Sequence, residues 1–206
     1  MKRVEWVLFD LGGVLVEVDQ ARIFASLAHK SGRSVELIRE ALLREVPINS
    51  DFITKEYLPK QITQEINHAL GANLAELEIV ESLNAELGDV IHSTADLLPN
   101  LRSRIKIGCL SNTNSIHWDR LLSSYSFMGE FDRRFASQIV GHAKPGAQIY
   151  IEVAKHLGVS GSEILFFDDR EENVNAALKL GWHARLYREP RDLMSGLGEF
   201  GLAGLP

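Results

Sequence analysis

Asp10 closes a β-rich run at residues 4–9 and opens the turn-like Leu11-Gly12-Gly13, so a carboxylate stands where sheet gives way to loop. A carboxylate there is ionised at neutral pH and can serve as a nucleophile, a metal ligand or a turn cap. Three more polar groups are set out along the chain in related places. Ser111-Asn112-Thr113-Asn114 follows the apolar run at 105–110, and Asp168-Asp169 follows the run at 164–167. Between them, Ala143-Lys144-Pro145-Gly146 opens a helical stretch. Adjacent acids near a third carboxylate repel one another unless a cation intervenes, and a lysine supplies a fixed positive charge. Taken singly, a Ser-Asn pair is an ordinary turn and a lysine an ordinary surface residue. Their order along the chain is what carries the information.

The elements that must position these groups can be read from hydrophobic pattern. Strands are expected at 4–9, 105–110, 135–137, 164–167 and 184–187, with helices around 117–125, 146–157 and 171–180 between the later ones. That alternation predicts right-handed βαβ units on an open parallel sheet, an α/β fold of Rossmann-like type. In such sheets ligands bind at the carboxyl ends of the strands, where the four polar groups fall. From about Asp19 to Gly88 the pattern changes. Ile23, Leu27 and Ala28, then Leu37, Ala41 and Leu42, then Ile62, Ile66 and Leu70 recur at helical spacing, with no strand pattern between them. Ser34 and Thr54 are the expected starts of two of these helices. The domain reading is therefore a Rossmann-like core at 1–16 and 95–206, interrupted by an all-helical cap at 17–94. The Gly-rich stretch from Gly196 to Pro206 reads as a loosely held terminus.

Composition narrows the partners. A chain of 206 residues, 45% hydrophobic and 24% charged, has enough apolar content for one proper core and a smaller accessory unit. Its 22 basic against 28 acidic residues leave a formal charge of -6, which provides no footprint for a nucleic-acid backbone or an anionic membrane. An anionic ligand must be drawn by a local positive site. No stretch approaches the roughly 20 apolar residues of a membrane span, and Glu5 and Asp10 interrupt any signal-like apolar region, so a cytoplasmic location is the expectation. Cys109 is the one cysteine, which excludes an intrachain disulfide, and it reads as a core residue of its strand.

The motifs FDLGGVLV, LSNTN, KP and FFDD, with Asn173 downstream, resemble those of the haloacid dehalogenase superfamily. The resemblance covers residues 4–16 and about 95–187, with a helical cap between the first and second motifs. It implies a phosphatase of small phosphorylated metabolites, sugar phosphates above all since the motifs most resemble the branch with sugar-1-phosphate phosphatases, dependent on Mg2+, in which Asp10 is the nucleophile and forms an aspartyl phosphate. It implies Asp169 as a direct metal ligand, Asp168 as a direct or water-mediated one, and the Gly12 carbonyl as a further one beside Asp10. Lys144 and Ser111 join Asp10 as catalytic groups. Ser111 and the amides after it would bind phosphoryl oxygens, with Asn112, Thr113, Asn114 and His117 completing the substrate side. Asn173 would orient a water molecule at the metal or merely cap the next helix.

One position departs from the family. Its phosphatases usually carry a second aspartate two residues after the nucleophile, as general acid and base, and here that residue is Gly12. Such a group is typically worth about 10²–10⁴ in rate. The substrate can have a good leaving group, such as an anomeric sugar phosphate. Another residue can stand in, among Glu17, Asp19, His117 and His142. Or the protein can bind phosphometabolites without turning them over. Dehalogenation of 2-haloacids is disfavoured, because that branch lacks the acidic pair found here at Asp168 and Asp169.

Overall fold

A computed structural model describes residues 3–46, 53–55 and 58–203. The chain begins with β1 (Trp6–Phe9) and β2 (Val16–Val18), then passes through α1 (Ala21–Ser31), α2 (Val35–Glu45), α3 (Pro59–Leu70) and α4 (Glu76–Asn84). It returns through β3 (Leu87–Val90), α5 (His92–Ala95), α6 (Leu98–Arg102), β4 (Lys106–Ser111) and α7 (Ser115–Ser124). There follow β5 (Arg133–Ala136), α8 (Ser137–Val140), α9 (Ala147–Leu157) and β6 (Ile164–Asp168), then α10 (Glu171–Lys179), β7 (His183–Leu186) and α11 (Pro190–Gly198).

Strand residues alternate between two apolar layers, which is why β1 and β6 are buried along their whole length. Val7, Phe9, Leu165 and Phe167 point into one layer, and Trp6, Leu8, Ile164 and Phe166 into the other. Phe9 stacks on Phe167 with ring centroids 5.7 Å apart. The sheet is five-stranded, in the order β5-β4-β1-β6-β7, and every pairing in it is parallel. This is the Rossmann-like core expected from the alternation. β1 is central, flanked by β4 and β6, so its carboxyl end opens at the point where strand order reverses.

Helices α1 to α4 form the body of the insert around their own apolar cluster, which includes Ile23, Leu27, Ile38, Ile62, Ile66 and Ile79. Ser34 caps α2, its Oγ accepting from the Leu37 N–H at 3.3 Å. The start expected at Thr54 is displaced. Thr54 and Lys55 lie in a turn, and α3 begins at Pro59, where a missing N–H costs nothing and Gln61 Oε1 accepts from the Leu58 N–H. The insert is also not helical throughout: β2 and β3 pair antiparallel at its base. Each is short, their register is irregular, and Leu-Gly-Asp-Val has no strand-like alternation to read.

Two smaller readings shift. β5 starts at Arg133 rather than 135, because an edge strand exposes Arg133 and Arg134 and so lacks an apolar signature. The Gly-rich tail is held further along than expected. Gly196 lies in α11, where a Cβ would come within 2.8 Å of the Phe167 ring, and Phe200 and Leu202 pack on the core. Among the described residues no helix is long and apolar enough to cross a membrane.

Candidate active site

The loop after β1 is a compact turn closed on itself. Leu15 and Val16 donate to the Leu11 carbonyl at 2.8 and 3.0 Å, and Gly13 donates to the Val16 carbonyl at 2.9 Å. Asp10 is fixed at its start by a backbone bond to Phe167 of β6. Both donors to its carboxylate, the Leu11 N–H at 2.7 Å and Lys144 Nζ at 3.0 Å, reach Oδ1. Oδ2 accepts from no described residue, and Asp10 lines the cleft.

Lys144 has a side chain with no exposure, and its ammonium bridges Asp10 and Asp168, donating to Asp168 Oδ2 at 2.7 Å and to the Leu110 carbonyl at 2.8 Å. Asp168, at the end of β6, also accepts from the Arg170 N–H at 2.9 Å and from Asn173 Nδ2 on both oxygens. Asp169 lies at the cleft, with its carboxylate over Gly13, whose φ is +73°. A Cβ at Gly13 would stand 2.3 Å from Asp169 Oδ2, so both the conformation and the space require glycine there.

The electrostatics follow from one cation set among three acids. Burial pushes the Asp10 carboxyl up to about 7, with Lys144 pulling it down and Asp168 adding to the rise. Burial, then Asp168, also raises Asp169. For Lys144, burial opposes the charge, but Asp10 and Asp168 outweigh it and hold the ammonium above its ordinary value. Ligand oxygens of Asp10, Asp168 and Asp169 lie within 4.8 Å of one another. When all are ionised, the carboxylates exceed the lysine by two charges, which a divalent cation balances. Oxygen donors suit a hard cation, and Asn173 Oδ1 is buried without a partner beside them. The cluster fits a magnesium site.

Asp10, Gly12, Ser111, Asn112, Thr113, His117, Asp169 and Asn173 all line one cleft of about 240 Å³. The structure gives several of them partners other than a phosphate. The Asn112 side chain pairs with the Lys144 backbone in both directions, at 2.7 and 2.9 Å, and so holds the lysine loop to β4. Thr113 gives its N–H to Ser137 Oγ. Asn114 caps α7, its Oδ1 accepting from the His117 N–H and its Nδ2 donating to His117 Nδ1. His117 Nε2 in turn donates to the Leu83 carbonyl at 2.9 Å, tying α7 to the end of α4. Both ring nitrogens are therefore spent. Of the expected substitute acids, Glu17, Asp19 and His142 do not line the cleft, and Asp19 instead accepts from the Ala21 N–H at the start of α1. Asn173 holds Asp168 rather than capping α10. Glu86, which the sequence did not single out, does line the cleft.

The pattern of haloacid dehalogenase-like hydrolases matches residues 4–181 of the chain. The chain belongs to this family. A phosphatase of Mycobacterium tuberculosis is 29% identical over 87% of this chain and 85% of its own length. A D-ribitol-5-phosphate phosphatase of Bacteroides thetaiotaomicron is 27% identical over 85% and 88%. Among solved structures, a family enzyme of Bacteroides thetaiotaomicron in complex with magnesium and inorganic phosphate superposes with a TM-score of 0.78, at 26% identity, over 89% of this chain and 93% of that one.

Proposed function

We propose that this hydrolase is a magnesium-dependent phosphatase of small phosphorylated metabolites, sugar phosphates first among them, working through an aspartyl phosphate on Asp10. One observation carries the reading: a buried lysine holds one oxygen of Asp10 and leaves the other without a donor among the described residues, at a cleft that Asp10 lines together with Asp169 and Ser111. Asp10 Oδ2 attacks phosphorus, Lys144 and Ser111 bind the phosphoryl oxygens, and water then releases phosphate from the acyl phosphate. Asp10, Asp168, Asp169 and the Gly12 carbonyl would hold magnesium, which when bound offsets the negative charge of the phosphoryl group. The insert, residues 17–94, serves as a cap that shields the reaction from bulk water. The relatives named as phosphatases, one of them acting on a pentitol phosphate, support the substrate class.

Phosphate release from sugar phosphates, an acyl phosphate and an aryl phosphate tests this, with magnesium or chelator and beside Asp10→Asn. Turnover is expected with magnesium only and is lost in the variant. Gly12 favours a second reading, a phosphometabolite-binding protein without turnover. Magnesium-dependent ligand binding with no phosphate release from any ester would select it.

A further inference from the structure

An alkyl phosphate needs a proton for its departing oxygen, and position 12 has no carboxyl to give one. Among the described residues, the titratable groups lining the cleft, apart from the acids around Lys144, are Glu86, His117 and Arg170. A guanidinium does not deprotonate in a protein, which removes Arg170. His117 has one ring nitrogen on Asn114 and the other on the Leu83 carbonyl, so it has no free position for a substrate. Glu86 is different. Its side chain is 25% exposed, its Oε2 lies 3.6 Å from His117 Nδ1, beyond a hydrogen bond, and no described residue donates to its carboxyl.

Its backbone, by contrast, is pinned. The Glu86 N–H donates to Leu83 at 3.2 Å, and its carbonyl accepts from Asp19 at 2.9 Å, just before Leu87 pairs with Val18. Val18 is also the residue that a Cβ on Gly12 would meet, at 3.2 Å. The ribbon of β2 and β3 thus brings Glu86 to the side of the cleft where an acid at position 12 would project. Glu86 also lines the adjoining cavity of about 340 Å³ toward Gln20 and Ile23, the space open to the organic part of a substrate.

We infer that Glu86 is the acid and base that replaces the missing aspartate, an assignment that rests on the phosphatase reading. As Asp10 Oδ2 bonds to phosphorus and the ester P–O bond breaks, the Glu86 carboxyl gives its proton to the leaving oxygen. The resulting carboxylate then takes a proton from water as the water oxygen attacks phosphorus. Asp10 is freed as carboxylate, phosphate leaves, and Glu86 is protonated again.

The test compares Glu86→Gln with the natural chain on an alkyl sugar phosphate and on 4-nitrophenyl phosphate, with magnesium. The expected result is a fall in kcat/KM of about 10²-fold for the alkyl ester and little change for the aryl ester. A nitrophenolate burst stoichiometric with enzyme should appear, because hydrolysis of the acyl phosphate becomes the slow step. Equal losses on both esters, or none on either, would overturn the role of Glu86 and leave the phosphatase reading standing. If the natural chain releases phosphate from neither ester, the phosphatase reading falls and this assignment with it. Should Glu86→Gln fail to fold, Glu86→Asp carries the same comparison, with a smaller loss confined to the alkyl ester.

Discussion

Lys144 lies between two carboxylates in a place that water does not reach, so its charge cannot be replaced by solvent. Removing one partner of such a group typically costs about 3–5 kcal/mol, because the acids left behind are buried and uncompensated. Lys144→Met should lose that much by urea denaturation in chelator, and magnesium should narrow the deficit. Asp10 gives the opposite sign. Its carboxyl is raised to about 7 from an ordinary 3.8, so the metal-free fold favours the protonated form. The stability tied to that proton is fully present below the unfolded value of 3.8 and is lost as pH rises through about 7. Asp10→Asn, which is neutral at every pH, should therefore exceed the natural chain in chelator by more at pH 8 than at pH 5. A gap that shrinks with rising pH would contradict the burial argument. On the proposed mechanism the same substitution should abolish turnover, which would separate the stability of the site from its chemistry.

At the scale of elements, the loop from Asp10 to Val16 sets both the carboxylate proposed as nucleophile and the seat of Asp169. Gly13→Ala would force a side chain at φ +73° and within 2.3 Å of Asp169 Oδ2. We expect a cost of more than about 1 kcal/mol from the backbone. Magnesium affinity should fall about 10–100-fold, the range seen when groups that position metal ligands are disturbed. Titration calorimetry would measure that loss, and unchanged affinity would mean that Asp169 does not bind the ion. The core strands were legible because β1, β4 and β6 are buried on both faces and read as apolar runs with a polar residue at each end. Asp10, Ser111 and Asp168 stand out against such runs. The partners of Asn112, Asn114 and His117 were not legible, since a short amide or imidazole shows its type in sequence but not its direction. β3 stayed hidden for another reason: its four residues pair only with a ribbon from the other end of the insert. Glu86 was hidden among the ordinary acids of α4, Glu76, Glu78 and Glu81, and only the turn after that helix sets it apart.

For the whole molecule, magnesium should act as a fold ligand as well as a cofactor. An ion that binds only the native state, at a hundred times its dissociation constant, adds about 2.7 kcal/mol. Thermal unfolding should shift upward with magnesium and back with chelator, and the shift should vanish in Asp168→Asn or Asp169→Asn if those carboxylates form the site. The -6 charge of the chain contributes little to this, because exposed charges are screened within about 10 Å while Asp10, Lys144 and Asp168 are buried. The ribbon of β2 and β3 has a consequence of its own. The chain leaves the core and comes back along two hydrogen-bonded strands, so the ends of the helical segment are held about 4.8 Å apart. A different helical bundle with ends that close together could be grafted onto the same stalk without moving Asp10. If the insert acts as the proposed cap, what the enzyme recognises and what it does to a phosphate would be mechanically separable. Exchanging residues 20–85 with the matching segment of a relative, so that Glu86 is kept, should transfer substrate preference and leave the phosphoryl chemistry in place.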